Sequence, residues 1–338
     1  MVDAPMVDQP PQRARHLGPT RPRAADPVSL PFPQDLAALA WVAPPTSHPD
    51  DARVAVAGDA GAVSVISVAD CAVVALARGH ASPVVDLAGA PRLLGAVASL
   101  DRGGSVALWR VGAARAACAA ALAVGDATVL ALAPDGSFLL TGHKSGAVQR
   151  WSLDGLWGEE EGEGDASTAE SLPAPTPATP TPVTPAGARR ALDAPVTAMR
   201  MLTPTSVAVL GADGRGAVLD LDTTNTTTSL RCSFRAPGAR LLGGSGGGCR
   251  LASTRDGALL AVGGPAGEAA VLDSATGKAI ISLPPPPRVK AAARAVGVSD
   301  DGRHVLVAAG GGFIFRQEAR PVEGEESGGG KENEGGGD

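Results

Sequence analysis

Arg78-Gly79-His80-Ala81-Ser82-Pro83-Val84-Val85-Asp86, then Leu94-Gly95-Ala96-Val97-Ala98-Ser99-Leu100-Asp101, then Val106-Ala107-Leu108-Trp109: this stretch decides the fold. Short apolar runs rich in valine, separated by Gly, Asp and Pro, read as strands joined by tight turns. Five polar or aromatic groups stand out among them: His80, Asp86, Ser99, Asp101 and Trp109. An indole N–H and an imidazole that enter a core need hydrogen-bond partners, and a hydroxyl and a turn carboxylate can supply them.

The same unit recurs on either side. Its last strand appears as Val63-Ser64-Val65-Ile66, Val106 to Trp109, Val148-Gln149-Arg150-Trp151, Val218-Leu219-Asp220-Leu221, Ala270-Val271-Leu272 and Phe313-Ile314-Phe315-Arg316-Gln317. An apolar strand and a glycine-containing turn precede each one: Val54 to Ala57, Leu94 to Ala98, Phe138 to Leu140, Val207 to Leu210, Leu259 to Val262 and Val305 to Ala308. Asp-Gly turns (Asp135-Gly136, Asp256-Gly257, Asp301-Gly302) are hairpin signals. The strand ends at Ile66, Trp109, Trp151, Leu221, Leu272 and Gln317 are 43, 42, 70, 51 and 45 residues apart. Removing an insertion of about 30 residues brings the long interval near 40, and a period of about 40–45 residues is that of a propeller blade. The predicted fold class is all-β: about six recognisable blades, with seven possible, stacked around an axis because no blade buries both faces alone.

The composition agrees. Aromatics are 3% with no tyrosine, so the core is built from small aliphatic side chains. Alanine richness favours helix, but no segment carries a long, capped apolar stripe of helical period. Residues 1–27 read as a disordered Pro/Arg-rich leader. Its arginines Arg13, Arg15, Arg21 and Arg23 also have a faint look of an organelle-targeting segment, against which Asp3, Asp8 and Asp26 argue. The propeller spans 28–318 and carries a disordered insertion at 157–190, acidic from Glu159 to Asp165 and alternating Pro with Thr and Ala from Leu172 to Pro185. Residues 319–338 read as a disordered Gly/Glu-rich tail. Residues around Pro27 to Phe32 are the candidate for a strand that closes the ring.

These units resemble the WD40 family. Gly79-His80, Ser99, Asp101 and Trp109 match its buried network, and Thr141 and Trp151 match part of it in the third unit. The repeats are degenerate: Ile66, Leu221, Leu272 and Gln317 replace tryptophan elsewhere, and no unit keeps the Trp-Asp pair. A narrower resemblance runs over about 40–318, carried by Leu251 to Gly264, the proline turn at 284–287, Arg288-Val289-Lys290-Ala291 and Val196-Thr197-Ala198-Met199. It is to the N-terminal WD region of a TBC-domain family member of centriolar satellites and the cilium base. The resemblance excludes the TBC domain, so it implies scaffolding there and no GTPase-activating role.

Chemistry is sparse. The formal net charge of −6 argues against a nucleic-acid surface. Cys71, Cys118, Cys232 and Cys249 have no CxxC spacing, which suits free thiols rather than a zinc site or disulfide framework. No apolar run reaches the roughly 18 residues of a membrane span. The glycine run Gly243 to Gly248 lacks the Lys-Ser or Lys-Thr of a phosphate loop, and Thr276-Gly277-Lys278 lacks its upstream glycine. No catalytic set, metal site or cofactor is predicted. His80 reads as structural, while His143, on a turn beside Lys144, stays open between structural and functional roles. Thr176, Thr179, Thr181 and Thr184 each precede proline and are candidate phosphosites; Lys331-Glu332-Asn333 matches a short degradation signal.

The expected function is a non-catalytic platform for proteins or peptides, cytoplasmic and by resemblance centrosomal or basal-body, with no nucleic acid and no membrane insertion. Its contacts are expected at turn residues such as Arg102, Lys144, Arg215 and Arg255. Two alternatives remain. A ubiquitin-ligase substrate receptor would be expected to show Trp-Asp-x-Arg, whereas Arg110-Val111 and Ser152-Leu153 follow the two tryptophans. A propeller enzyme would need convergent polar residues in the channel.

Overall fold

Valine, leucine and alanine recur at every second position between the turns, and each such run forms a β-strand. The computed structural model describes residues 35–43, 51–112, 115–157, 180–185, 192–221, 227–238, 250–289, 291–310 and 313–318. Among the described residues every regular element is a strand. They form six antiparallel blades. Blade 1 holds β1 (Leu36–Val42), β2 (Arg53–Gly58), β3 (Ala62–Ser67) and β4 (Ala72–Arg78). Blade 2 holds β5 (Val84–Gly89), β6 (Ala96–Asp101), β7 (Ser105–Val111) and β8 (Ala116–Ala123). Blade 3 holds β9 (Ala127–Leu132), β10 (Phe138–His143) and β11 (Val148–Ser152), with β12 (Pro180–Pro185) along β11. Blade 4 holds β13 (Val196–Thr203), β14 (Ser206–Gly211), β15 (Arg215–Leu221) and β16 (Thr227–Arg235). Blade 5 holds β17 (Arg250–Ser253), β18 (Leu259–Gly263), β19 (Ala269–Asp273) and β20 (Ala279–Leu283). Blade 6 holds β21 (Ala293–Val298), β22 (His304–Ala309) and β23 (Phe313–Glu318).

β12 lies inside the expected insertion. It pairs antiparallel with β11 and in parallel with β16 at Thr184↔Thr227, so the outer edges of blades 3 and 4 join in one sheet. Apart from Trp157, the rest of that insertion, the leader, the candidate closing strand around Pro27 to Phe32 and the tail lie outside the described residues.

The core sits between blades. One face of blade 1 (Ala55, Ala57, Val63, Val65) packs on Leu87, Val97, Ala107 and Trp109 of blade 2. The other face of blade 2 (Ala98, Leu100, Val106, Leu108) packs on Leu130, Leu132, Leu139 and Trp151 of blade 3. The pattern continues through Val129 and Leu140 against Val207 and Leu219, Ala208 and Val218 against Leu260 and Leu272, and Val271 against Val305 and Val307. The innermost strands follow the same order, β1 beside β5, then β9, β13, β17 and β21. β21 makes no comparable packing with β1 among the described residues.

Tight turns between second and third strands abut the linker into the next blade. Gly104 has φ +80°, and a Cβ there would collide with the carbonyl of Gly125 in that linker. Gly125 has a similar φ of +66° with nothing within 4 Å of a Cβ. The left-handed conformation alone disfavours alanine by about 1–2 kcal/mol. We expect Gly125→Ala to show only that loss, and Gly104→Ala to lose about 1–3 kcal/mol more from overpacking against backbone. Urea unfolding of both variants checks this; equal losses would show that the turn–linker contact is slack.

Candidate functional site

Strand direction fixes which loops share a surface. The inter-blade linkers and the turns between second and third strands lie at one end of the blades; the remaining turns lie at the other. The first end, the linker face, is where the polar residues of the repeat converge.

In blade 2 they form one chain of hydrogen bonds. The Trp109 indole N–H donates to Ser99 Oγ at 2.7 Å. Ser99 Oγ lies 2.6 Å from His80 Nε2, and His80 Nδ1 lies 3.1 Å from Asp101 Oδ2. One tautomer satisfies every group: Ser99 donates to Nε2, and Nδ1–H donates to Asp101. Asp101 Oδ1 also accepts the Ser105 N–H at 2.9 Å. The chain therefore ties the linker (His80), β6 (Ser99 and, at its end where the turn begins, Asp101) and β7 (Trp109) together. The order hydroxyl–imidazole–carboxylate is that of a hydrolytic relay. Here, however, Ser99 is fully buried under the indole, so no substrate can reach it.

Blade 3 builds the same chain with two positions exchanged. Trp151 donates to Thr141 Oγ1 at 3.0 Å, Thr141 Oγ1 lies 2.9 Å from His143 Nε2, and His143 Nδ1 lies 2.8 Å from Asp126 Oδ1. The imidazole now comes from the end of β10 and the carboxylate from the linker, the reverse of blade 2. His143 is buried, which settles it as part of this chain. Asp126 was not singled out in the sequence; the signal was the shared ten-residue spacing of Ser99 to Trp109 and Thr141 to Trp151. The hydrogen bond from His143 holds the Asp126 carboxyl below its usual range, so its stabilisation is present at neutral pH and fades as pH falls through that lowered value. Ser99→Ala leaves a buried indole N–H and an imidazole nitrogen without partners. We expect a loss of about 1–3 kcal/mol, with Ser99→Thr, the blade 3 solution, retaining most stability; calorimetric melting of the two variants decides it.

Asp86 is not part of the blade 2 chain. Its Oδ1 accepts the Leu87 N–H at 3.0 Å and its Oδ2 accepts the Leu130 N–H of blade 3 at 2.8 Å, bolting two inner strands together. Burial pushes its carboxyl up to about 6, opposed by those two N–H donors and by Arg250. A raised carboxyl pKa means stability is greatest while the group is protonated. It declines as pH rises from about 4 through about 6, then levels. The side chain keeps some solvent contact, which caps the decline at about 1–3 kcal/mol. Asp86→Asn should flatten this segment of the pH–stability curve, whatever its effect on absolute stability. A curve parallel to that of the unaltered protein between pH 4 and 7 would rule the assignment out.

Further tethers cross the junctions. Arg53 donates to Gly112 O at 2.7 Å, Thr128 to Val196 O at 2.5 Å, and Arg250 to Thr197 O at 3.2 Å and Arg294 O at 3.0 Å. Arg102, Lys144 and Arg215 are exposed on the linker face; Arg102 and Lys144 sit in turns that the two hydrogen-bonded chains anchor, and Arg215 opens β15, 3.5 Å from the Asp213 carboxylate. Arg255 is exposed too, but it sits in the β17–β18 turn at the opposite end, so it does not share their surface. Thr181 and Thr184 lie in β12, in register with Arg150 and Thr227. Thr176, Thr179 and Lys331 to Asn333 lie outside the described residues. Cys71, Cys118 and Cys232 are free thiols, and burial raises the thiol pKa of Cys118 and Cys232. Among the described residues no group of His, Cys, Asp and Glu is arranged to hold a metal ion, and no helix is long and apolar enough to cross a membrane.

No protein-family model matches the chain, and no curated protein matches its sequence significantly. Solved structures do match. A chain of the crystallised mitotic checkpoint complex is 15% identical, covers 85% of this chain and 75% of its own length, and superposes with a TM-score of 0.56. The β-propeller domain of Cps50 (Swd1) from Myceliophteria thermophila is 11% identical, covers 85% of this chain and 84% of its own, with a TM-score of 0.60. At these identities the likeness is one of fold, that of WD40-type propellers.

Proposed function

We propose that the chain is a non-catalytic binding platform that recognises proteins or peptides on its linker face. The observation that carries this reading is the pairing of exposed cations with a buried frame. Arg102 follows Asp101 in a turn that the His80–Ser99–Trp109 chain immobilises, and Lys144 follows His143 in the corresponding turn of blade 3. Loops on a rigid scaffold suit recognition, because little ordering entropy is lost on binding. The buried polar groups serve the frame rather than a reaction. One of the structural neighbours was itself crystallised within a multiprotein complex. Cations at this face favour a partner segment bearing carboxylates or phosphates.

The test is charge reversal with a stability control. Arg102→Glu, Lys144→Glu and Arg215→Glu together should weaken capture of specific partners at least about tenfold, a change of roughly 1.4 kcal/mol, while leaving the melting temperature unchanged. Arg255→Glu, at the opposite end, should leave capture intact. Equal capture by both variants would overturn the reading. We further propose action at centriolar satellites or the cilium base, supported by the resemblance over Leu251 to Gly264 and 284–291. A tagged chain that stays diffuse in the cytosol of ciliated cells would remove that part and leave the platform reading standing.

A further inference from the structure

The inner strands surround the axis of the ring, and each pairs with a neighbouring strand on one edge only. Its other edge therefore faces the axis. The pairing registers align these strands position by position. The residue opposite the third position of the second strand is Ala40 in blade 1, Ala88 in blade 2, Ala131 in blade 3, Ala252 in blade 5 and Gly297 in blade 6. In blade 4 it is Arg200. A layer of small side chains thus carries a single cation. Arg200 occupies the middle of β13, which pairs with β14 and packs between β9 and β17. Ala198 and Leu202, on the same side of β13, are buried in the core between blades 4 and 5. Arg200 is exposed, so its side chain opens onto the axis. Among the described residues it makes no hydrogen bond or ion pair. The blades around it displace enough water to hold its pKa below the usual guanidinium value, and no carboxylate offsets that cost.

We propose that the middle of the ring's axis is an oxyanion site, where the Arg200 guanidinium binds a phosphate or carboxylate group inside the layer of small side chains. A desolvated charge without a partner is unfavourable, and an anion is the counterpart that this position lacks. The planar fork of a guanidinium matches two oxygens of a carboxylate or phosphate at once. Alanine and glycine at the other five positions leave space for such a group and bring no side-chain acceptor of their own.

The layer two residues nearer the linker face shows how inner edges treat such groups. There the edge of blade 3 already holds a carboxylate: the Leu130 N–H donates to Asp86 Oδ2 at 2.8 Å. Alternate N–H groups along an unpaired edge point the same way, so the edges beside Arg200 offer donors of the same kind. Arg250 of blade 5 lies in the Asp86 layer and is satisfied by the carbonyls of Thr197 and Arg294. Asp86 does not fill the proposed site. Its oxygens accept the Leu87 and Leu130 N–H groups, and Arg250 is the cation that acts on it. The site is separate from Arg102 and Lys144, so it stands or falls independently of the linker-face platform.

Titration of the full-length chain with sodium phosphate, and separately with sodium acetate, tests this. Ionic strength is held constant with sodium chloride, and the readout is the melting temperature. A ligand that binds only the folded chain raises it, so the unaltered protein should melt higher as the oxyanion is added. Arg200→Met should melt no lower than the unaltered protein without the anion, because an unpaired cation is gone, and should bind it at least tenfold more weakly. Arg200→Lys keeps the charge but not the fork, and should fall between the two. Arg102→Met, on the linker face, should respond as the unaltered protein does. A response to phosphate assigns the site to the free ion; a response to acetate alone assigns it to a carboxylate side chain of a partner. Equal responses from Arg200→Met and Arg102→Met, or no response to either anion, would overturn the proposal.

Discussion

A sheet with two apolar faces is stable in water only between two neighbours, and every other feature of this chain follows from that requirement. Blades 2 to 5 meet it on both sides. The facing residues are mostly alanine, valine and leucine, so adjacent sheets approach closely with few large side chains to interdigitate. Such packing is tight but non-directional. Nothing in it fixes how far one blade rotates on the next. The directional bonds supply that: Asp86 to the Leu130 N–H, Thr128 to Val196 O, and Arg250 to strands on either side.

The indole–hydroxyl–imidazole–carboxylate chains add order of a different kind. They join linker, turn and strand within blades 2 and 3, where tryptophan occupies the repeat position. Where Ile66, Leu221, Leu272 and Gln317 stand instead, that position offers no indole donor; at Leu221 and Leu272 aliphatic packing carries the strand. The exchange of histidine and aspartate between the two blades shows which constraint matters. The imidazole must lie between hydroxyl and carboxylate, but the linker and the turn can each supply either end. Rigidity is thus concentrated at the linker face of two adjacent blades, the surface that carries Arg102 and Lys144.

Much of the fold was legible in the sequence because second and third strands share a glycine turn and a steady period. β2 and β3, β6 and β7, and β22 and β23 fall on the quoted apolar runs. The outer strands were harder. β8, Ala116–Ala123, has the composition of a helix, yet Ala120 and Leu122 are buried on alternate positions between blades 2 and 3; tertiary packing overrides intrinsic propensity there. β12 was read as part of a disordered insertion, since it has little apolar surface to bury and its prolines favour extended polyproline geometry, but pairing along one edge needs only alternate positions. His80, Ser99, Asp101 and Trp109 lie within hydrogen-bonding reach as one chain. Asp126 could not be found from a histidine-first pattern, and the role of Asp86 depends on an amide 44 residues away, which no local motif encodes.

Burial that is complete on both sides of blades 2 and 3, and one-sided at blades 1 and 6, implies a graded stability with its maximum around the two hydrogen-bonded chains. Three of the four tryptophans report on that region: Trp109 and Trp151 within the chains, and Trp157 through its bond to Gly136 O at 2.9 Å. The most direct measurement is urea unfolding of a Trp41→Phe variant, followed together by tryptophan fluorescence and by far-ultraviolet circular dichroism. The expected result is a dichroism change that begins at lower urea than the fluorescence change, as the terminal blades detach before the pinned pair. Coincident transitions would contradict it, since they would show that all six blades unfold as one unit.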